Sequence, residues 1–259
     1  MQTAPDQSHG HSPIRVKLFG SPEILGVADD VVDGFGAKSR ELLFFLLLHP
    51  QGVGRDQILE ALWPETDPDR GYENFKFQLR VIRRHLRSGS APTEKFIEQT
   101  DDVYRPSPEA FEVDVWEFDR LVGQAAEGGG AETLKSATSL YRGEVLRAVY
   151  YSWAEPMQRY FGDRFLDALV RLSDERLEQK DDVGALSALR QAIDANPHSE
   201  YLYRRTMEIH GRLGRANDIR RTYSELEAAL AEIEAEPDYE TAELRRRLLD
   251  ELGQRPKPL

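Results

Sequence analysis

The chain contains no cysteine among its 259 residues. Disulfides, thiol nucleophiles and cysteine-held metals are therefore excluded, and a reducing compartment is expected. Glycine (19) and proline (14) are too sparse for a low-complexity protein. Long apolar runs are missing too. The most apolar stretch, Leu42 to Leu48 (LLFFLLL), is far shorter than the roughly 18 residues a membrane span needs, so it reads as core. The opening MQTAPDQSHGHSPI lacks the basic start and apolar stretch of a signal peptide. Residues 1–13 read as a disordered polar tail, and a cytoplasmic protein without membrane contact is expected. Positive charge is also in deficit, with 34 Lys+Arg against 46 Asp+Glu and a net charge of −12. A chain this acidic does not coat nucleic acid nonspecifically, so any nucleic-acid contact must be local.

Against that background one stretch stands out. Tyr72 to Arg87, YENFKFQLRVIRRHLR, reads as an amphipathic helix. Lys76, Arg80, Arg83, Arg84 and Arg87 recur at helical spacing and are expected to share a face. Phe75, Leu79, Ile82 and Leu86 form an apolar stripe about a third of a turn away. Phe77 and Val81 lie off that stripe and are expected to be buried against the first helix or the other domain, with contacts to thymine methyl groups as the alternative. Asp67 followed by Pro68 is a cap-then-first-turn pattern, so the helix is expected to begin near Pro68.

The surroundings give this helix a setting. Residues 14–110 mix strand and helix signals. Ile14, Val16 and Leu18 alternate with Arg15 and Lys17, as in a half-buried strand. Glu23 to Gly26 and Val31 to Phe35 read as two more short strands. Ser39 offers an N-cap for a helix running to about His49, ended by Pro50 and Gly52. Arg55 to Trp63 reads as a short second helix. The SGSAPT run from Ser88 breaks the basic helix. Phe96–Gln99 and Val103–Arg105 then flank Thr100-Asp101-Asp102 as a hairpin. A short helix, a turn, a longer basic helix and a hairpin make a winged helix-turn-helix.

Residues 111–259 read as helical throughout. Asp114 and Glu117 form a D-x-x-E capping signal. Breaks are expected at Gly128–Gly130 and near Gly143, Pro156, Asp181, Pro197, Gly214 and Pro237. Two segments align at a 34-residue offset. Leu169, Leu172, Ala185, Leu189, Ala192 and Pro197 correspond to Tyr203, Thr206, Ile219, Tyr223, Leu226 and Ala231. Ala185, Ala192 and Pro197 suit the small-residue and terminal-proline positions of a tetratricopeptide-like repeat. Tyr150, Tyr151, Trp153, Tyr160 and Phe161 read as fillers between helices, with a protein-contact surface as the alternative.

The basic helix has the features a DNA reader needs. A major groove admits one helix, which must keep an apolar edge on its domain and turn a cationic face outward. Arg can be bidentate to guanine or phosphate. Asn74 and Gln78 could read adenine. Arg105 or Lys95 of the hairpin would reach a flanking backbone or minor groove, although Asp101 and Asp102 at the tip oppose this. Lys38, near the start of the first helix, would lie near the DNA backbone. The blander alternative is a surface helix whose cations are solvated or paired.

Other features carry less. Gly34 to Ser39 mimics a phosphate loop, but Val32 and Ala37 stand where its glycines are needed. His9 and His11 have no third ligand nearby, so no metal is expected. No Ser/His/Asp set or carboxylate pair stands in a catalytic frame, so neither an enzyme nor a cofactor is expected.

The runs KSRELLFFLLLHPQGVGRDQILEALWP, LRVIRRHLR and FIEQTDDVYRP together resemble the OmpR-type winged helix of the Streptomyces antibiotic regulatory proteins (SARPs). The following EVDVWEFDRLV and the helical remainder resemble the bacterial transcriptional activator domain, which has a tetratricopeptide-like fold. Val103 departs from the glycine usual before the wing tyrosine, here Tyr104, which puts the wing turn in question. The resemblance implies an OmpR-type winged helix over 14–110 and a bacterial transcriptional activator domain over 111–259. It further implies an activator that binds promoter direct repeats side by side and recruits RNA polymerase, with a homo-oligomer in view. Residue by residue, it carries the groove-facing role onto Lys76, Arg80, Arg83, Arg84 and Arg87, with Arg105 in the wing. Larger relatives append a nucleotide-binding domain that this sequence lacks, so it is either a short form or part of something longer. The competing reading is a repeat-type interaction scaffold whose winged helix docks protein rather than DNA.

Overall fold

The computed structural model describes residues 13–25, 35–87 and 95–254. The strand expected over Val31 to Phe35, the SGSAPT break, His9 and His11 lie wholly or mostly outside them. The described residues form an α+β winged helix-turn-helix followed by an all-α tetratricopeptide-like region. By backbone proximity they fall into two compact units, residues 1–121 with 139–162, and residues 122–138 with 163–259.

In the first unit, Ile14–Lys17 forms β1, with Ile14 and Val16 inward and Arg15 outward. It pairs antiparallel with β2 (Glu23–Leu25) and parallel with β6 (Phe111–Val113). Helix α1 spans Ala37–Leu47, and every residue from Leu42 to Leu48 is buried, so this helix runs through the core. Its C-terminal carbonyls need partners inside the fold. The Trp116 indole N–H donates to the Leu47 carbonyl at 2.7 Å. Helix α2 (Arg55–Leu62), helix α3 (Pro68–Leu86) and the hairpin β4 (Ile97–Thr100) to β5 (Val103–Pro106) follow. A two-residue strand, β3 (Val53–Gly54), also pairs with β5, giving a second sheet of order β3-β5-β4.

Ser39 does not cap α1. Gly36 occupies the cap position, and Ser39 sits buried inside the first turn. Asp114 also departs from the expected capping box. It opens α4 (Asp114–Gln124), but its carboxylate accepts the backbone N–H groups of Leu18 (2.7 Å) and Phe19 (3.1 Å) beyond the end of β1. Arg142 adds an ion pair at 3.0 Å. Burial pushes the Asp114 carboxyl upward, while these three donors pull it down. Glu117 pairs with Arg120 instead.

The segment after α5 (Gly130–Leu140) belongs to the same unit. Phe19 bridges Val145, Leu146 N–H donates to Leu18 O at 2.8 Å, and Gly20 N–H donates to Glu144 O at 2.9 Å. The Phe19 ring lies among Phe118, Tyr141 and Phe161 at 5.0–5.6 Å. Trp153 donates to Glu41 at 3.0 Å and stands edge-on to Phe45. The aromatic cluster therefore divides. Trp153 and Phe161 are packed, whereas Tyr150 is 94% exposed.

In the second unit, α6 (Glu155–Glu178) from Asp163 onward, α7 (Asp182–Ala195), α8 (Glu200–Arg212) and α9 (Ala216–Ala231) follow one another as two helix–turn–helix segments. The 34-residue offset is visible atom by atom. Asp181 N–H donates to Arg176 O at 2.8 Å, and Arg215 N–H donates to His210 O at 2.9 Å. The residue before each donor is left-handed, Lys180 at φ 61° and Gly214 at φ 70°. Ala185 and Ala192 in the first segment, with Ile219 and Leu226 in the second, are fully buried. Helix α10 (Tyr239–Gly253) covers the second segment, setting Leu244, Leu248 and Leu249 against Met207, Ile219 and Tyr223. Between α4 and α5 the backbone makes a π-type turn over Ala125–Gly129 and breaks at Gly128, φ 113°. No described helix is long and apolar enough to cross a membrane.

Candidate nucleic-acid interface

Helix α3 begins where its sequence dictates. The Asp67 carboxylate accepts from Asp69 N–H (3.1 Å) and Arg70 N–H (3.4 Å), and Pro68 fills a position whose own N–H would be orphaned. Asp69 in the first turn and Arg83, Arg84 and His85 in the last complement the helix dipole. Phe75, Leu79, Ile82 and Leu86 are buried, as the apolar stripe requires.

The opposite face is not occupied as spacing alone predicts. Arg70, Glu73, Phe77, Arg80, Arg84 and Arg87 are exposed, while Asn74, Lys76, Gln78, Val81 and Arg83 are partly covered. The five cations of the sequence pattern thus split into two groups. Arg80, Arg84 and Arg87 face outward, and Arg84 and Arg87 have no ion-pair partner among the described residues. Arg80 leans back to the Lys76 carbonyl at 3.4 Å. Lys76 pairs with Glu73 at 2.5 Å and rests over the Tyr72 ring at 4.5 Å. Arg83 turns toward the hairpin and donates to Ile97 O at 3.0 Å. Burial lowers the pKa of its guanidinium.

Gln78 is engaged inside the fold, where its Oε1 accepts the hydroxyl of buried Ser39 at 2.6 Å. Asn74 stays half-exposed on the outer side. Lys38 pairs with Glu41 at 2.9 Å, beside the Trp63 ring.

Phe77 corrects the sequence reading. It is 54% exposed, not buried, and shares the outer face with Arg70, Glu73, Arg80 and Arg84. Arg70 was missed altogether. Its signal was present, since it stands seven residues before Phe77, as Arg84 stands seven after. At 3.6 residues per turn this spacing returns to nearly the same face.

The hairpin is held against α3 and α2. Tyr104 is 2% exposed and packs edge-on against Phe75. Burial, with Tyr72 alongside, pushes its hydroxyl up to about 12, so it stays protonated. At the tip, Asp101 takes the left-handed conformation (φ 53°), and Arg55 reaches Asp102 at 3.2 Å. Val103, the departure from the family glycine, keeps its place in the ladder opposite Gly54 and Thr100. Gly52, at φ 99°, makes this possible. A Cβ there would lie 2.8 Å from the Val103 side chain. Arg105 is paired with Glu98 at 2.9 Å on the hairpin surface.

Comparison with known proteins agrees with this architecture. The fold matches Mycobacterium tuberculosis EmbR, solved in complex with a low-affinity phosphopeptide, with a TM-score of 0.70 at 20% identity. The match covers 95% of this chain and 66% of that one, so this chain spans just under two thirds of the EmbR length. No curated protein sequence matches the chain significantly. The family model for the bacterial transcriptional activator domain matches residues 113–257, starting on the last residue of β6. With more than half of its length covered by that model, and with the SARP-like signature of its N-terminal runs, this chain belongs to the bacterial transcriptional activator domain family.

Proposed function

We propose that this SARP-type regulator binds promoter DNA in a sequence-specific way through helix α3 and acts on transcription through its helical region. The observation that carries this reading is the exposed line Arg70, Arg80, Arg84 and Arg87 on the third helix of a winged helix, in a chain of net charge −12. Cations kept out of ion pairs at one place in an acidic protein favour a polyanion there. In this reading residues 14–110 form the DNA-binding domain and 111–259 the activator domain. Arg80, Arg84 and Arg87 provide phosphate or guanine contacts, and Asn74 and Lys76 flank them. Arg83 and Gln78 serve mainly to fix the helix in its domain. Lys38 and Arg105 reach DNA only by giving up Glu41 and Glu98.

The activator role, binding to direct repeats as paired copies and contact with RNA polymerase follow from the family resemblance. A groove of about 390 Å³ on the second unit offers a surface for protein contact. Exposed Tyr201 and Tyr239 line it together with Arg204, Arg205 and Arg247. Glu208, Glu240 and Glu243 line it too, and Arg204 and Arg205 are ion-paired with Asp238 and Asp174, so the groove is of mixed charge.

The test is binding of the full chain to a randomised duplex pool, followed by salt titration on the recovered sequence. Affinity should fall on the order of a thousand-fold between 50 and 200 mM salt if about six phosphates are neutralised. The Arg80→Ala/Arg84→Ala/Arg87→Ala variant should lose binding while keeping its circular dichroism. Binding that survives these substitutions and ignores salt would overturn the reading in favour of a protein-docking winged helix.

A further inference from the structure

The most exposed large apolar side chain on α3 has no structural use within its domain. Phe77 is 54% exposed, whereas Phe75, Leu79, Ile82 and Leu86 already seal the inner face. A solitary exposed phenylalanine is ordinary on a protein surface. Its position here is not. Arg70 and Arg84 stand two turns to either side, Arg80 lies one turn on within about 60° around the helix, and Glu73 one turn back on the same face is paired with Lys76. An apolar partner protein would have to desolvate those guanidinium groups to reach the ring. A duplex would pair them with phosphates and bring the ring to the groove floor. The neighbours on the ring's other flank, Asn74 and Val81, are partly covered and carry no charge, so the ring is the outermost apolar group of the face.

The floor of a major groove presents one prominent apolar group, the C5-methyl of thymine. We infer that Phe77 is a specificity-determining residue that packs against a thymine methyl group in the bound DNA. This rests on the DNA-binding reading above and adds to it the class of base that the helix prefers at its centre. The arginines then set position and affinity, and the ring discriminates thymine from the other pyrimidine without any hydrogen bond.

The experiment is a cycle on the duplex that the full chain recovers from a randomised pool. Each thymine of its consensus is replaced in turn by deoxyuridine, which deletes only the methyl group. Wild-type protein should lose about fourfold in affinity at one position, the factor that burial of a single carbon corresponds to. Phe77→Ala should bind that duplex more weakly than wild type and show no further loss with deoxyuridine there. Placing 5-methylcytosine at that position should recover more affinity for wild type than for the variant. Three results would overturn the inference: a consensus without thymine, equal deoxyuridine sensitivity in both proteins, or a Phe77→Ala variant that changes only self-association. Failure to recover any duplex would instead refute the DNA-binding reading itself. Circular dichroism of the variant checks that the fold is kept, as expected for truncation of an exposed side chain.

Discussion

Phe75 of α3 and Tyr104 of β5 meet edge-on, with ring centroids 4.7 Å apart and planes at 81°. Through this pair the basic helix and the hairpin hold each other in position. Tyr72, one turn before Phe75, stands beside the Tyr104 hydroxyl and helps push its pKa up. Tyr104→Ala should therefore destabilise the protein by about 3–5 kcal/mol, the range for emptying a buried aromatic site. Tyr104→Phe keeps the ring contact and loses only the hydroxyl, and should cost about 1 kcal/mol. Urea denaturation followed by tryptophan fluorescence measures both. Equal losses would mean that the ring pair contributes nothing beyond the hydroxyl.

Arg83 and Arg84 are neighbours with different tasks. Arg83→Ala removes the bond to Ile97 O and should lower stability by about 1 kcal/mol. Arg84→Ala removes an exposed, unpaired cation and should leave the melting temperature within about a degree or two of wild type, as for surface changes generally. Its effect should show in DNA affinity and in a shallower salt slope. Calorimetry and fluorescence anisotropy on the same samples separate the two. The expectation is wrong if both variants melt alike.

Gly52 and Val103 form a coupled pair. Gly52→Ala meets two obstacles, a φ of 99° and a 2.8 Å approach to Val103. A loss of about 1–3 kcal/mol is expected from the backbone conformation alone. Adding Val103→Ala relieves the collision but not the backbone strain, so the double variant should recover only part of the loss. Full recovery, read from denaturant midpoints, would show that the conformation carries no cost.

His210 on α8 makes stability depend on pH. It is buried, its Nδ1 has no hydrogen-bond partner among the described residues, and the Asp218 carboxylate stands too far off at 3.9 Å. Burial lowers its pKa below the ordinary 6.5, Arg215 and Arg221 push the same way, and Asp218 opposes them. The unfolded chain therefore takes up the proton first as pH falls. The stability this residue contributes is present above about pH 6.5 and is lost as pH drops toward the folded value. Urea denaturation at pH 7.5 and 5.5 should show a larger loss for wild type than for His210→Gln. The difference should be no steeper than about 1.4 kcal/mol per pH unit. Identical slopes would assign the acid sensitivity to other groups.

Much of this architecture was legible because local chemistry announced it. The Asp67-Pro68 pair marks the start of α3, and the turn residues Asp101 and Asp102 mark the hairpin. The 34-residue offset survives as matching turns at Lys180 and Gly214. What the sequence concealed depends on distant partners. Ser39 has the chemistry of a cap, but Gln78 claims its hydroxyl from another helix. Asp114 has the same chemistry, but Leu18 and Phe19 lie 96 and 95 residues away. Strand β3 is too short for any period to show. On the candidate interface, spacing gave the cations but could not separate Arg83 and Lys76, which find partners, from Arg80, Arg84 and Arg87. Phe77 faces outward although it is apolar, because Phe75, Leu79, Ile82 and Leu86 already fill the inner side of α3.

The bridge from Phe19 to Val145 has a consequence for synthesis on the ribosome. The first unit is not complete when its winged helix has been made, because residues 139–162 supply part of its packing. At translation rates of about 5–20 residues per second, Phe19 waits on the order of ten seconds for that partner to emerge. During that interval the Phe19 ring and the backbone groups of Leu18 and Gly20 lack the partners this segment brings. A nascent chain stalled before Val145 would therefore leave Phe19 without the backbone bridge and the Tyr141 and Phe161 rings that enclose it.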